Sequence, residues 1–108
     1  MNRNQVLLIG YTGADPICEK SNNGSKKVRI RMATHHPRTN EKGERKYLTV
    51  WHNVIAWDNK AEYAERSFVK GSKILVDGSI VYRTYLDQTG HRRYVTDIVA
   101  HSLINLDR

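Results

Sequence analysis

"YLTVWHNVIAWDNKAEYAERSF", Tyr47 to Phe68, changes its hydrophobic period partway through, and the place where it changes decides the fold. Up to Trp57 the side chains alternate, as they do on a strand whose successive residues point to opposite faces. Leu48, Val50, Val54 and Ala56 share one face with His52, while Tyr47, Thr49, Trp51, Asn53, Ile55 and Trp57 share the other. The first set suits a hydrophobic core, so the second, with its two tryptophans, is expected to point away from it. From Asp58 onward the apolar residues Ala61, Ala64 and Phe68 recur at helical spacing. Asp58 or Asn59 is placed to cap this helix and Gly71 to stop it. A strand therefore runs directly into one short helix.

Working outward, the remaining segments read as strands and turns. "NQVLLIG" (Asn4 to Gly10) is a short aliphatic run closed by the turn-forming "GYTGADP". "SNNGSKK" (Ser21 to Lys27) is a second turn, and "KVRIRMAT" alternates Val28, Ile30 and Met32 against Arg29 and Arg31, a half-buried strand with a basic outer face. "HHPRTNEKGERK" (His35 to Lys46) has no apolar content and reads as an exposed loop or hairpin arm. Beyond the helix, "KILVDGSIVYRTYL" is a fourth strand with a bend or bulge at Gly78. "DQTG" (Asp87 to Gly90) is a turn, "HRRYVTDIVA" a fifth strand, and "HSLINLDR" a short tail. Three strands, one helix and two strands form the layout of an all-β OB-fold, a five-stranded Greek-key barrel with one α-helix between strands 3 and 4. Closure into a barrel also removes the sheet edges that so strand-rich a chain would otherwise expose.

The bulk numbers agree with one domain over residues 1–108. The hydrophobic fraction of 39% and charged fraction of 27% are those of a globular chain. No apolar run approaches the length of a membrane span, and the N-terminus lacks the layout of a signal peptide, so a cytoplasmic protein without membrane contacts is expected. The single Cys18 excludes an internal disulfide and a cysteine-type zinc site. A net charge of +7 favours polyanionic partners, nucleic acid first. The excess lies on the strands and their loops, whereas the segment read as helix is neutral.

Enzymatic readings find little support. His35, His36, His52, His91 and His101 form no H-x-x-x-H pair and no H-x-E signature with downstream cysteines. Glu62 and Glu65 belong to a solvated helix face, with Glu62 placed to pair with Arg66. "GYTGADP" has neither Walker nor dinucleotide-binding spacing. No catalytic residue, metal or cofactor is assigned. Binding a single strand without reading its sequence instead needs flat aromatic faces for bases and a cationic groove for phosphates. Trp51, Trp57 and Tyr85 are the candidates for the first, and Arg29, Arg31, Arg38, Lys42, Arg45, Lys46, Arg83, Arg92 and Arg93 for the second.

Four stretches, "NQVLLIGYTGADP", "RMATHH", "VWHNVIAWDNKAEYAERSFVKGSKILVDGSI" and "YLDQTGHRRYVTDIVA", together resemble the bacterial single-stranded DNA-binding protein family. The segment from Trp51 through Gly78 carries the most specific part of the likeness. The resemblance implies a non-catalytic OB barrel, usually a homotetramer, that binds single-stranded DNA with little sequence preference during replication, recombination and repair. It places such a protein in the cytoplasm with the nucleoid. By the same resemblance Trp51, Trp57 and Tyr85 fall at base-stacking positions and His52 at a subunit-interface position, with a core histidine as the alternative reading of His52. The chain departs from the family pattern in three places. A further stacking Trp common after the second strand is missing, Pro37 or Arg38 standing near its place. Asn53 replaces a common basic residue, and the sequence stops at "INLDR" where the family usually adds a linker and an acidic tip that recruits replication and repair proteins. That ending fits either a core fragment or a short variant, and it leaves a second function open: an OB-fold accessory protein of a primosome or mobile element acting mainly through protein contacts.

Overall fold

The computed structural model describes residues 2–21 and 23–107. The turn expected over 21–27 includes Asn22, which lies outside the described residues. Six strands and one helix follow in the order β1 (Val6–Thr12), β2 (Ile17–Lys20), β3 (Lys26–Thr39), β4 (Arg45–Trp57), α1 (Asn59–Ser67), β5 (Lys73–Leu86) and β6 (Arg92–Asn105). The sheet runs β1-β5-β6-β4-β3, and a pairing of β1 with β3 closes it into a barrel. One contact in this circuit is parallel, β4 against β6 at Asn53↔Asp97, Val54↔Ile98 and Ile55↔Val99. The helix makes that connection possible, because a chain leaving β4 must cross the barrel end before β5 begins.

The expected five strands and the observed six differ in one strand that is broken. β1 pairs with β3 at Tyr11↔Ala33 and Thr12↔Met32, and β2 continues along the same edge of β3 at Ile17↔Arg29 through Lys20↔Lys26. The turn read over "GYTGADP" is thus a bend inside this edge, from Gly13 to Pro16. The bulge expected at Gly78 is present, since the register with β6 slips between Asp77 and Gly78 and leaves His101 as the extra residue. A Cβ at Gly78 would collide with the Val99 carbonyl, so only glycine admits this close approach.

The barrel interior is filled from even-numbered positions: Val28, Ile30 and Met32 on β3, Val54 and Ala56 on β4, Ile74 and Val76 on β5. Ala61 and Ala64 of α1, with Phe68 just past its end, seal one end, the Phe68 ring meeting Tyr63 edge-on with centroids 5.5 Å apart. Asp58 occupies the N-cap position at φ 54°, a strained conformation for a residue with a side chain, and makes no side-chain cap bond. The helix also ends at Ser67, four residues before the expected stop at Gly71. Residues 101–105, read as a tail, are instead the last part of β6. The buried Asn105 donates to the Ser67 carbonyl at 2.8 Å, and its backbone N–H donates to the Tyr63 hydroxyl at 2.9 Å, which ties the strand to the helix.

Both hairpins outgrow the barrel. β3 and β4 pair from Lys27↔Trp57 to Thr39↔Arg45, so His35–Lys46 is a hairpin arm, closed by a turn in which Asn40 Oδ1 accepts the N–H groups of Lys42 and Glu44. β5 and β6 likewise pair as far as Leu86↔Arg92. The arm corrects one expectation: Leu48, placed in the barrel by alternation, is 42% exposed, and Val50 is only half-buried. Their face has the right parity, but the arm carries them past the end of the core.

Candidate nucleic-acid interface

The site is built by strand register. On the outer face of β3 and β4, cross-strand neighbours are Lys27 with Trp57, Arg29 with Ile55, Arg31 with Asn53, Ala33 with Trp51, His35 with Thr49, Pro37 with Tyr47 and Thr39 with Arg45. Aromatic and cationic side chains thus share one surface with the buried Ala33 and Ile55, while the barrel-filling Val28, Ile30, Met32, Val54 and Ala56 take the other. The parallel β4–β6 pairing puts Asp97 beside Asn53, and β6 pairs in turn with β5 at Arg83↔Val95 and Tyr85↔Arg93. Trp51, Trp57 and Tyr85 therefore share the outward parity of β4, β6 and β5, which meet at the β4–β6 pairing. Their exposures are 49%, 37% and 49%, unusually high for side chains of such apolar area.

Each tryptophan has a cation over its ring. The Arg31 guanidinium lies 4.9 Å from the Trp51 ring centroid and the Lys27 ammonium 5.6 Å from that of Trp57, both within cation–π range. The edge of the Trp51 ring also rests on Gly13, where an added Cβ would sit 2.5 Å from Cζ3. Gly13 is fixed in turn by its N–H donating to the Arg31 carbonyl at 2.9 Å. The bend that breaks the first strand is thus also the seat of the tryptophan.

The nine expected cations divide into groups. Arg29, Arg31 and Arg45 lie on the outer face of β3–β4, and Arg83 and Arg93 on that of β5–β6. Arg38 and Lys46, which pair with each other, and Arg92 lie on the opposite faces of their arms, and Lys42 is in the turn of the β3–β4 arm. Three of the nine are already neutralised. Arg29 meets Glu19 at 3.2 Å, Arg93 meets Asp87 at 2.8 Å, and Arg83 meets Asp97 at 2.6 Å. Asp97 is buried, and its second oxygen, Oδ1, has no hydrogen-bond partner among the described residues. Asp87 accepts from the Thr89 hydroxyl, from the backbone N–H groups of His91 and Thr89, and from Arg93, which together hold its carboxyl below the usual carboxylate range.

His52 is on the inner face of the β3–β4 arm, at its root, half-buried rather than in the core. Thr34 Oγ1 lies 3.0 Å from His52 Nε2 and 2.9 Å from His36 Nε2, so one hydroxyl links two imidazoles. Burial, and secondly the neighbouring His36, push the His52 pKa below its ordinary value. Among the described residues no group of three or more His, Cys, Asp or Glu is arranged to hold a metal, and no helix is long and apolar enough to cross a membrane.

Sequence reading missed Lys27, Gly13 and the three carboxylates. Lys27 was legible, since it shares the parity of Arg29 and Arg31. Glu19, Asp87 and Asp97 were not, because their partners are set by register and turn geometry rather than by spacing.

Comparison with known proteins decides the family. The Single-strand binding protein family profile matches residues 3–106. The chain belongs to that family. A single-stranded DNA-binding protein of Rhizobium meliloti (strain 1021) is 36% identical over 98 residues, covering 89% of this chain and 56% of that protein. The chain thus spans little more than half the length of this curated relative. Among solved structures of the family, the Plasmodium falciparum SSB in complex with ssDNA superposes with a TM-score of 0.89 at 26% identity, covering 99% of this chain and 97% of the other. A deletion mutant of the single-stranded DNA-binding protein from Thermus aquaticus gives a TM-score of 0.81 at 26% identity, over 96% of this chain and 50% of that one. The five-stranded barrel with its helix between β4 and β5 is therefore the OB-fold of this family.

Proposed function

We propose that this chain binds single-stranded DNA with little sequence preference, and protects it during replication, recombination and repair. The observation that carries the reading is the pair of half-exposed tryptophans on one outer sheet face, each flanked by a cation. Bases stack on any flat aromatic surface, which gives affinity without sequence readout, at about 1–3 kcal/mol per stacked base. Trp51, Trp57 and Tyr85 are the stacking residues. Arg31 and Arg45, which form no ion pair among the described residues, lead the phosphate contacts on that face, with Lys42 at the arm's turn; Arg29, Arg83 and Arg93 compete with their own acidic partners, and Lys46, Arg38 and Arg92 serve only a strand that passes round the arms to their opposite faces. The complex of the Plasmodium falciparum relative with ssDNA supports single-stranded DNA as the ligand. Nothing in this reading requires a catalytic step or a cofactor.

Assembly into a homotetramer belongs to the same proposal. The outer face of β1, β5 and β6 brings together Leu7, Ile9, Leu75 and Ile104, an apolar patch of the kind that marks protein contacts. His52 with Thr34 and His36 offers a second, polar contact at the root of the arm. The protein would act on DNA in the cytoplasm, with the nucleoid. Titration with oligo-dT and with a duplex of equal length, followed by native mass measurement, tests the reading: complexes of a tetramer with the single strand and little with the duplex are expected. Equal binding of both, or of neither, overturns it.

A further inference from the structure

The outer face of β3–β4 does not end at Trp51. Tyr47 lies on the same face, opposite Pro37, and is 68% exposed. At the rise of a strand it stands about 13 Å beyond Trp51 along the ladder. Neither neighbour on its face covers it: Pro37 is short and exposed, and Thr49 is engaged with His35, Oγ1 to Nδ1 at 3.0 Å. Arg45, the next outer-face residue toward the tip, forms no ion pair among the described residues. Aromatic, polar gap, aromatic and free cation thus follow one another in the order that stacking and phosphate contacts require.

Resting on the proposed DNA binding, we infer that Tyr47 is a further base-stacking residue, which extends the strand's path from the barrel onto the β3–β4 arm and lengthens the occluded site. The opposite arm supplies a contrast. Tyr82 and Tyr94 are still more exposed, at 77% and 79%, yet by register they occupy the face opposite to Tyr85, away from this surface. Exposure alone does not make a platform; membership of the outer face does.

Oligo-dT of increasing length, from four nucleotides upward within the range an OB-fold occupies, tests the inference by affinity. Tyr47→Ala leaves the shortest oligomer's affinity unchanged and weakens binding about 5- to 150-fold once the strand is long enough to reach the arm. Tyr47→Phe keeps the wild-type length dependence, since the ring and not the hydroxyl stacks, and Tyr82→Ala has no length-dependent effect. The inference fails if Tyr47→Ala matches Tyr82→Ala at every length, or weakens all lengths equally. Trp51→Ala, measured in the same series, separates the two levels: a loss there with none for Tyr47→Ala removes only the extension, whereas no loss in either removes the stacking reading as well.

Discussion

The two hairpin arms carry similar residues and differ in what those residues are free to do. On the outer face of β3–β4, Arg29 is held by Glu19 within the barrel, but Arg31 at the foot of the arm lies over Trp51 and Arg45 on the arm forms no ion pair among the described residues. On that of the β5–β6 arm, Arg83 and Arg93 are each within 3 Å of an aspartate oxygen, at 2.6 and 2.8 Å. A count of cations would rate the arms alike. The geometry rates the first as a binding surface and the second as a braced support, because a guanidinium already sharing its charge with a carboxylate releases fewer counterions from DNA.

The contrast breaks most visibly at Arg83. Arg83→Ala should lower stability by about 1–3 kcal/mol, read by denaturant or thermal unfolding, because Asp97 stays buried without its cation. The figure is below that of a fully buried pair, since the arginine is partly solvated. Its salt dependence of DNA binding should scarcely change, and a large change with unaltered stability would show that Arg83 is a phosphate ligand after all. A comparable loss, about 1–3 kcal/mol in affinity this time, is expected from Gly13→Ala, whose methyl group must displace the Trp51 ring. Fluorescence titration reads it, and an unchanged affinity would mean that the ring's seat is unimportant.

A smaller effect sharpens the comparison directly. Arg31→Ala or Arg45→Ala should each reduce the slope of log affinity against log salt by about 0.7, the value for one single-strand phosphate contact, whereas Arg93→Ala should reduce it by much less. Equal changes from both arms would erase the distinction. The smallest effect belongs to His52. Its folded pKa is depressed below 6.5, so the unfolded chain binds more protons, and stability should fall as pH drops through that value. His52→Gln should flatten the pH profile in this window, and an unflattened profile would trace the acid sensitivity to another group.

Much of this was legible in the alternation of residues 28–32 and 47–57, the change of period at Asp58 and the glycine at the Gly78 bulge. Those features are local, and a period or a special backbone position announces itself in a short window. The length of the arms was not legible, because beyond the core a ladder is held by backbone hydrogen bonds that polar sequence permits as readily as apolar. Leu48 was misplaced for that reason. β2 escaped notice because "ICEK" is too short to show a period. The charge pairs were hidden because Arg83 finds Asp97 only once β5 folds against β6, and the seat of Trp51 on Gly13 needs the barrel closed.

The proposed mode of DNA binding turns on the outer tryptophans stacking on bases. Intrinsic fluorescence, followed while oligo-dT is added to the wild type, Trp51→Phe and Trp57→Phe, tests it most directly, since each variant leaves a single tryptophan as reporter. Strong quenching is expected in all three, with retained affinity in both variants and a loss of about 1–3 kcal/mol when either residue is cut to alanine. Binding with unquenched tryptophans and undiminished affinity in Trp51→Ala and Trp57→Ala would contradict it.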